Sequence, residues 1–259
     1  MLAERFDAFL FDLDGVLYRG SEPVPGAPEA VAALRSMGKA VAFVTNNSSR
    51  TPDTVAARLR AAGVEAVPEE VETSALTTAA LLAERGVPDA YVIGGEGVRR
   101  ALTEAGVGVL EGDPATAGAV VVGFDPEVDY AKLRRAGLLV QAGVPLIATN
   151  PDASFPADGG ERWPGAGALV AAVETTTGVR AEVIGKPNAP ILRAALARAG
   201  GGRPLMIGDR LDTDIAGAVA LGWPSFLVLT GISSREDVRG YPFAPTYIWD
   251  DLSLLTDPD

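Results

Sequence analysis

The chain has 259 residues, long for one simple domain and short for two large ones, with 47% hydrophobic and 22% charged residues, the balance of a soluble globular protein. A net charge of −12 argues against nucleic acid or an anionic membrane as the main partner, because either prefers a basic surface. Cysteine and histidine are both absent, which excludes disulfides, thiolate zinc sites, Ser-His-Asp triads, phosphohistidine and His-ligated metals, and leaves acid–base work to carboxylates, Lys or Tyr.

The first residues, Met1 to Asp7, show no basic region followed by a long apolar stretch. No apolar run approaches the ~20 residues that span a bilayer, so the expected location is the cytoplasm. Phe6–Phe11 reads as a buried strand, and Ala27–Met37 has helical spacing (Ala30, Val31, Leu34, Met37) and stops at Gly38. Ala40–Val44 is a second apolar strand, running into Thr45-Asn46-Asn47-Ser48-Ser49. A helix follows over Pro52–Ala62, with Thr51 as N-cap, and Glu69–Arg85 reads as another. The pattern then restarts with a short strand, Ala90–Ile93, the turn Gly94-Gly95-Glu96-Gly97, a helix over Val98–Ala105 and a strong strand, Ala119–Val122. Tyr130–Gln141 is helical, Pro145–Ala148 a strand, Asp152–Gly167 a Pro- and Gly-rich loop, and Ala168–Thr177 a helix. The last third has a helix over Ile191–Ala199, a strand over Leu205–Ile207, a helix over Asp212–Leu221, a strand over Ser225–Leu229 and an edge strand at Tyr247–Trp249. Strands alternating with helices predict an α/β protein with a mostly parallel sheet and helices on both faces.

The polar residues that end the apolar strands carry the chemistry. Asp12 and Asp14 lie one residue apart where a buried strand should end, so both side chains emerge on the same side of an extended chain. Two like charges that close need a cation between them or a retained proton, which reads as a metal site with a nucleophile. Thr45-Asn46-Asn47 ends the second core strand, and Gly208-Asp209 through Asp214 ends a third. An open α/β sheet brings such strand ends to one crevice. Lys186, in a Gly-Lys-Pro turn before a helix, adds an ammonium in a chain whose other lysines are Lys39 and Lys132. Carboxylates for a hard cation, donors for phosphate oxygens and one ammonium are what phosphoryl transfer requires.

These residues resemble the haloacid dehalogenase-like superfamily in four ordered motifs: Asp12-Leu13-Asp14-Gly15-Val16, Thr45-Asn46-Asn47, Lys186, and Gly208-Asp209 through Asp214. Each motif alone is weak; all four in order, each after a strand-like run or at a helix start, are a strong signal covering essentially the whole chain. The 31 positions from Asp14 to Thr45 leave no room for an inserted domain, whereas the 141 from Thr45 to Lys186 do. That spacing resembles the p-nitrophenylphosphatase or NagD-like branch, as do Val122-Gly123-Phe124-Asp125, Ala148 through Asp152, and Pro164 through Gly167. The resemblance implies a Rossmann-like core at 1–76 and 182–259 with an inserted α/β cap domain at 77–181.

It implies residue roles as well. Asp12 is the nucleophile that forms an aspartyl-phosphate, and Asp14 the acid for the leaving alcohol and then the base for water. Mg²⁺ suits the all-oxygen ligand set of Asp12, the Asp14 backbone carbonyl and Asp209. Asp209 competes with a plain helix-cap role, which its position also allows. Asp214 orients Lys186 or metal-bound water from outside the ligand set, and Asp212 is left as ligand neighbour or cap. Thr45, Asn46 and Lys186 bind phosphate, with Asn47 as a further candidate against the alternative of a polar turn.

The implied partner is a small phosphorylated metabolite: a sugar phosphate, glycerol phosphate, phosphoglycolate, nucleotide or pyridoxal phosphate, with p-nitrophenyl phosphate cleaved in vitro. A homodimer through the cap stays open, since no segment marks a dimer face. A dehalogenase would lack Asp14, and a phosphonate-cleaving relative would need a Schiff-base lysine on its cap, where Lys132 reads as solvated. Phosphotransfer to an alcohol and a catalytically idle phosphometabolite sensor are the competing functions. Gly94-Gly95-Glu96-Gly97 lacks full nucleotide-loop spacing and reads as a turn into a helix. Tyr91, Tyr130 and Trp163 read as packing residues, with Trp163 in the loop where a cap would face the site.

Overall fold

The computed structural model describes residues 1–156 and 161–256, and the chain packs as two compact units. The first unit is Met1–Thr45, Pro52–Glu72 and Lys186–Asp259; the second is Asn46–Thr51 and Thr73–Gly185.

The first unit starts with β1 (Ala8–Phe11), the small hairpin β2 (Tyr18–Arg19) and β3 (Glu22–Pro23), α1 (Ala27–Ser36), β4 (Ala40–Thr45), α2 (Pro52–Ala61) and β5 (Val71–Thr73). It resumes with α7 (Ala189–Arg198), β13 (Pro204–Gly208), α8 (Ala216–Ala220), β14 (Ser225–Val228), α9 (Arg235–Gly240) and β15 (Tyr247–Trp249). Its six-stranded sheet has the order β15-β14-β13-β1-β4-β5, with β1 parallel to both β4 and β13. Every residue of β1 is buried, so the strand is apolar on both faces, as expected of a parallel sheet covered by helices. Phe9 and Phe11 join Val41, Phe43, Leu205 and Ile207 in a core shared with Val31 and Leu34 of α1 and Leu59 of α2. Leu10 points the other way, with Ala42, Val44 and Met206, onto Ile191 and Leu192 of α7 and Ala218 of α8. This two-faced packing aligns the carboxyl ends of β1, β4 and β13 on one edge, where Asp12, Thr45 and Asp209 stand.

The second unit contains α3 (Ser74–Glu84), β6 (Asp89–Ile93), α4 (Glu96–Glu104), β7 (Gly108–Leu110), β8 (Ala119–Val122), α5 (Tyr130–Gln141), β9 (Leu146–Ala148), β10 (Ser154–Pro156), β11 (Arg162–Pro164), α6 (Ala166–Thr177) and β12 (Glu182–Val183). Its five-stranded sheet, order β12-β9-β8-β6-β7, is parallel at every pairing. Val92 and Val121 pack with α3 and α4 on one face, and Ile93, Val120 and Val122 with α5 and α6 on the other. Among the described residues, no helix is long and apolar enough to cross a membrane.

The strands β2, β3, β7 and β12 and the helix α9 fall where the sequence-based reading assigns no element, and three segments that it does assign change type. Glu69–Arg85 is not one helix: a 3₁₀ turn at Pro68–Glu70 leads into β5, and α3 begins only at Ser74. Val71 and Thr73 are β-branched and buried, and β5 joins the sheet edge beside β4, a tertiary gain that helical spacing does not register. Asp152–Gly167 is not all loop, since β10 and β11 form an antiparallel hairpin with Phe155 opposite Trp163; residues 157–160 of that stretch lie outside the described residues. Asp212–Leu221 starts with a π-turn at Leu211–Ile215 before α8.

Two single residues also differ. Tyr130 does not pack, being 82% exposed. Lys132 is not simply solvated: its Nζ donates to buried Asp125 at 2.9 Å and to the Glu127 carbonyl at 3.0 Å. A buried carboxylate needs a paired cation, and Lys132 lies in the first turn of α5, within reach.

Candidate active site

The centre of the site is Lys186. Its ammonium is buried and donates to Asp12 Oδ1 at 2.6 Å, Asp214 Oδ1 at 2.7 Å and the Val44 carbonyl at 3.3 Å. Three N–H donors meet three acceptors, which satisfies the group completely. Burial pushes the Lys186 ammonium toward neutrality, but Asp12 and Asp214 outweigh it and hold the group above its ordinary range, protonated.

Asp12 follows β1 and still donates its N–H to the Ile207 carbonyl at 2.9 Å, so the ladder between β1 and β13 fixes where its side chain emerges. Asp209 follows β13. Its Oδ2 accepts the Ile232 N–H at 2.7 Å and its carbonyl accepts the Ser233 N–H at 3.0 Å. Its Oδ1 is buried with no hydrogen-bond partner. Asp214 sits at the end of the π-turn, fully buried, with Oδ1 on Lys186 and Oδ2 accepting the Arg210 N–H at 3.2 Å.

Asp12, Asp209 and Asp214 place one carboxylate oxygen each within 4.8 Å of the others. Three carboxylates less the one Lys186 ammonium leave two negative charges, which a divalent cation would balance. Burial and that excess of negative charge both shift the carboxyls upward. Burial first, then Asp12 and Asp214, pushes the Asp209 carboxyl up to about 8. Burial also raises Asp214 to about 6, with Lys186 pulling against it. A buried, partnerless carboxylate oxygen among like charges is the kind of group a hard, oxygen-seeking cation satisfies. The donor set therefore fits Mg²⁺, and the partnerless atom belongs to Asp209, not to Asp214, whose two oxygens already accept from the protein.

Two glycines make the space for Asp209. A Cβ on Gly231 would lie 1.9 Å from Asp209 Oδ2, and one on Gly15 would lie 2.5 Å from it. Gly15 also has φ of +83°, a left-handed conformation that favours glycine. Thr230 ties the two loops together by donating Oγ1 to the Gly15 carbonyl at 2.6 Å.

Asp14 lies outside the buried cluster, its side chain 42% exposed, with Arg58 Nη2 3.8 Å from its Oδ1. Arg58 also donates to the Gly20 carbonyl and stacks over Tyr18, its guanidinium carbon 4.3 Å from the ring centroid. It thereby fastens the β2–β3 hairpin beside Asp14. Asp212 pairs with Arg210 at 2.7 Å and does not join the carboxylate cluster.

Thr45 is buried as the last residue of β4. Asn46 and Asn47 belong to the second unit. Asn46 is buried, and the Asn47 side-chain oxygen closes a local turn by accepting the Ser49 N–H at 2.9 Å and Ser49 Oγ–H at 2.7 Å.

Residues 9–108 match the family model described as haloacid dehalogenase-like hydrolase, and residues 183–255 match that described as HAD-hydrolase-like. The acid sugar phosphatase of Staphylococcus aureus is 41% identical over 254 residues, covering 96% of each chain. The chain belongs to the haloacid dehalogenase-like hydrolases. Within that family it falls in the NagD-like branch of phosphatases: NagD from Escherichia coli is 31% identical, with a TM-score of 0.89 and 98% of each chain covered. The glycerol phosphate phosphatase of Mycobacterium tuberculosis, solved in complex with magnesium, is 38% identical with a TM-score of 0.91, covering 98% of this chain and 77% of that one.

Sequence reasoning did not single out Gly231, Thr230 or Arg58. Gly231 and Thr230 sit beyond β14, and nothing in their local pattern points to Asp209, more than twenty residues earlier. Arg58 lies on α2 among Arg and Ala residues that read as an ordinary amphipathic helix.

Proposed function

We propose that the protein is a Mg²⁺-dependent phosphatase that hydrolyses small phosphate monoesters of the sugar or glycerol type through an aspartyl-phosphate on Asp12. The observation that carries this reading is the partnerless buried Asp209 Oδ1 beside Asp12, with Lys186 spanning Asp12 and Asp214. The substrate class is supported by the relatives, one an acid sugar phosphatase and another a glycerol phosphate phosphatase. The cytoplasm is the compartment this reading implies.

Asp12, Asp209 and the Asp14 backbone carbonyl would hold the cation, which when bound supplies charge neutralisation at the phosphoryl oxygens. The protein's own residues carry the rest. Asp12 Oδ attacks phosphorus while the bond to the ester oxygen breaks, and Asp14 gives its proton to the departing alcohol. Asp14, now a carboxylate, takes a proton from the water that attacks the aspartyl-phosphate, which releases inorganic phosphate and restores Asp12. Lys186 offsets charge on the nucleophile and the phosphoryl group, and Thr45, Asn46 and Asn47 donate to phosphate oxygens. The second unit corresponds to the inserted α/β cap domain that the resemblance implies.

Release of inorganic phosphate from a panel of sugar, glycerol and p-nitrophenyl phosphates, with Mg²⁺ and with EDTA, tests this. The expected result is release with Mg²⁺, abolished by EDTA and restored by added metal. Equal release in EDTA would refute the metal role, and no release from any ester would refute the phosphatase reading.

A further inference from the structure

The sheet of the second unit changes direction between β6 and β8: from β6 the chain runs outward to β7, and from β8 it runs the opposite way to β9. Open parallel sheets take ligands at such a point, in the crevice beyond the carboxyl ends of the strands. Here the strand ends carry Gly94-Gly95-Glu96-Gly97 after β6 and Gly123-Phe124-Asp125 after β8. What lies against them is the protein's own backbone, the segment Asn46–Thr51.

Each residue of that segment from Asn46 to Ser49 is held within the second unit. The Ser49 carbonyl accepts the Gly97 N–H at 3.1 Å. A Cβ on Gly97 would lie 2.5 Å from the Ser48 carbonyl oxygen and 2.8 Å from that of Arg50, so only glycine admits the chain this closely. Ser48 Oγ accepts from Thr149 Oγ1 at 3.0 Å, in full burial. The Asn46 carbonyl accepts twice, from Ser74 Oγ at 2.6 Å and from Asn150 Nδ2 at 2.7 Å. Asn46, Ser74 and Asn150 are all buried. A Cβ on Gly185 would lie 2.6 Å from Asn46 Oδ1, so that glycine leaves room for the Asn46 side chain. The glycine-rich turn after β6 therefore cradles a peptide, not a nucleotide.

We propose that Asn150 and Ser74 are positioning residues for the phosphate-binding segment: by fixing the Asn46 carbonyl they set the Asn46–Asn47 peptide that follows Thr45. The inference rests on the phosphate-binding role proposed above for Asn46 and Asn47. A peptide group is planar and trans, so two donors on its oxygen also fix the direction of its N–H, which lies in the same plane and points the opposite way. A single donor would leave the plane free to rock about the bond. Two donors from different elements, the start of α3 and the loop after β9, remove that freedom.

The test is steady-state kinetics on the Mg²⁺-loaded protein with p-nitrophenyl phosphate, together with competitive inhibition by inorganic phosphate and the melting temperature. Asn150→Ala and Ser74→Ala are each expected to raise KM and the phosphate inhibition constant about tenfold while kcat changes by less than about threefold. The double variant should lose less than the product of the two, because both donors serve one acceptor. Ser74→Thr, which keeps the hydroxyl, should restore most of the phosphate affinity that Ser74→Ala loses. Ser74→Ala removes a single oxygen, so it carries the test if Asn150→Ala does not fold. Both constants staying within twofold of the unaltered protein in the folded variants, whatever the melting temperature does, overturns the positioning role. An unaltered protein that neither releases phosphate nor is inhibited by it overturns the phosphatase reading itself, a result these variants cannot mimic.

Discussion

Lys186 is the residue on which the site balances, because it is the one ammonium facing three buried carboxylates. Replacing it by Met keeps most of the volume and removes the charge, leaving Asp12 and Asp214 buried and uncompensated. The expected cost is about 3–5 kcal/mol of stability, read by denaturant unfolding, together with loss of turnover. Asp12→Asn has the opposite balance. It leaves Lys186 paired with Asp214 and relieves repulsion against Asp209, so the melting temperature should hold or rise while turnover falls about a thousandfold or more. A variant that still turns over within tenfold would remove Asp12 as nucleophile. Asp14→Asn separates acid catalysis from binding. Its loss should be about 10- to 100-fold greater for an alkyl phosphate than for p-nitrophenyl phosphate, whose leaving group needs no proton. Equal losses for the two esters would contradict the acid role.

At the scale of elements, the site depends on what happens just past the strands. Gly231, in the turn after β14, touches Asp209 where any side chain would collide. Gly231→Ala is therefore expected to keep the fold but to abolish the rise in melting temperature that Mg²⁺ produces in the unaltered protein. The same logic of strand ends explains which elements were legible. β1, β8 and α5 stand almost where their apolar patterns place them, since each is defined by its own burial and flanking caps; Asp129, for example, accepts the Lys132 N–H at the start of α5. The stretch from Glu69 to Arg85 was not legible in the same way. Its Thr73 ends β5 and caps α3, accepting the Leu76 N–H at 3.1 Å, and that break depends on β5 reaching the sheet edge. The β10–β11 hairpin was likewise hidden, since Phe155 packs face to face on Phe124 of a distant loop, at 4.2 Å between ring centroids.

The whole molecule carries the electrostatics of the site as a stability term. The Asp209 carboxyl titrates at about 8 in the fold against an ordinary 3.8, and Asp214 at about 6. Between those values the folded protein binds protons that the unfolded chain has released. In metal-free protein, stability therefore falls as pH rises from about 4 to about 8. A divalent cation takes the place of those protons and is favoured as they leave. The gap between melting temperatures in Mg²⁺ and in EDTA should thus widen steadily from about pH 5 to about pH 8. A gap that stays constant or narrows over that range would show that the carboxylates are not the groups the metal neutralises.

What the sequence determined by itself is the chemistry and its order. With neither Cys nor His, reactive groups must be carboxylates, hydroxyls, amides and lysine, and their placement at the ends of apolar runs follows from strand periodicity, a local property. Tertiary structure alone decided how those groups divide the work. Lys186 meets Asp12 across 174 positions of chain, and the bonds that Asp214 accepts from Lys186 and the Arg210 N–H distinguish it from Asp209, whose Oδ1 is left without a partner. The same holds for Asn46, whose carbonyl finds Asn150 across 104 positions. Such contacts are set by the packing of whole layers, so no window of neighbouring residues contains them.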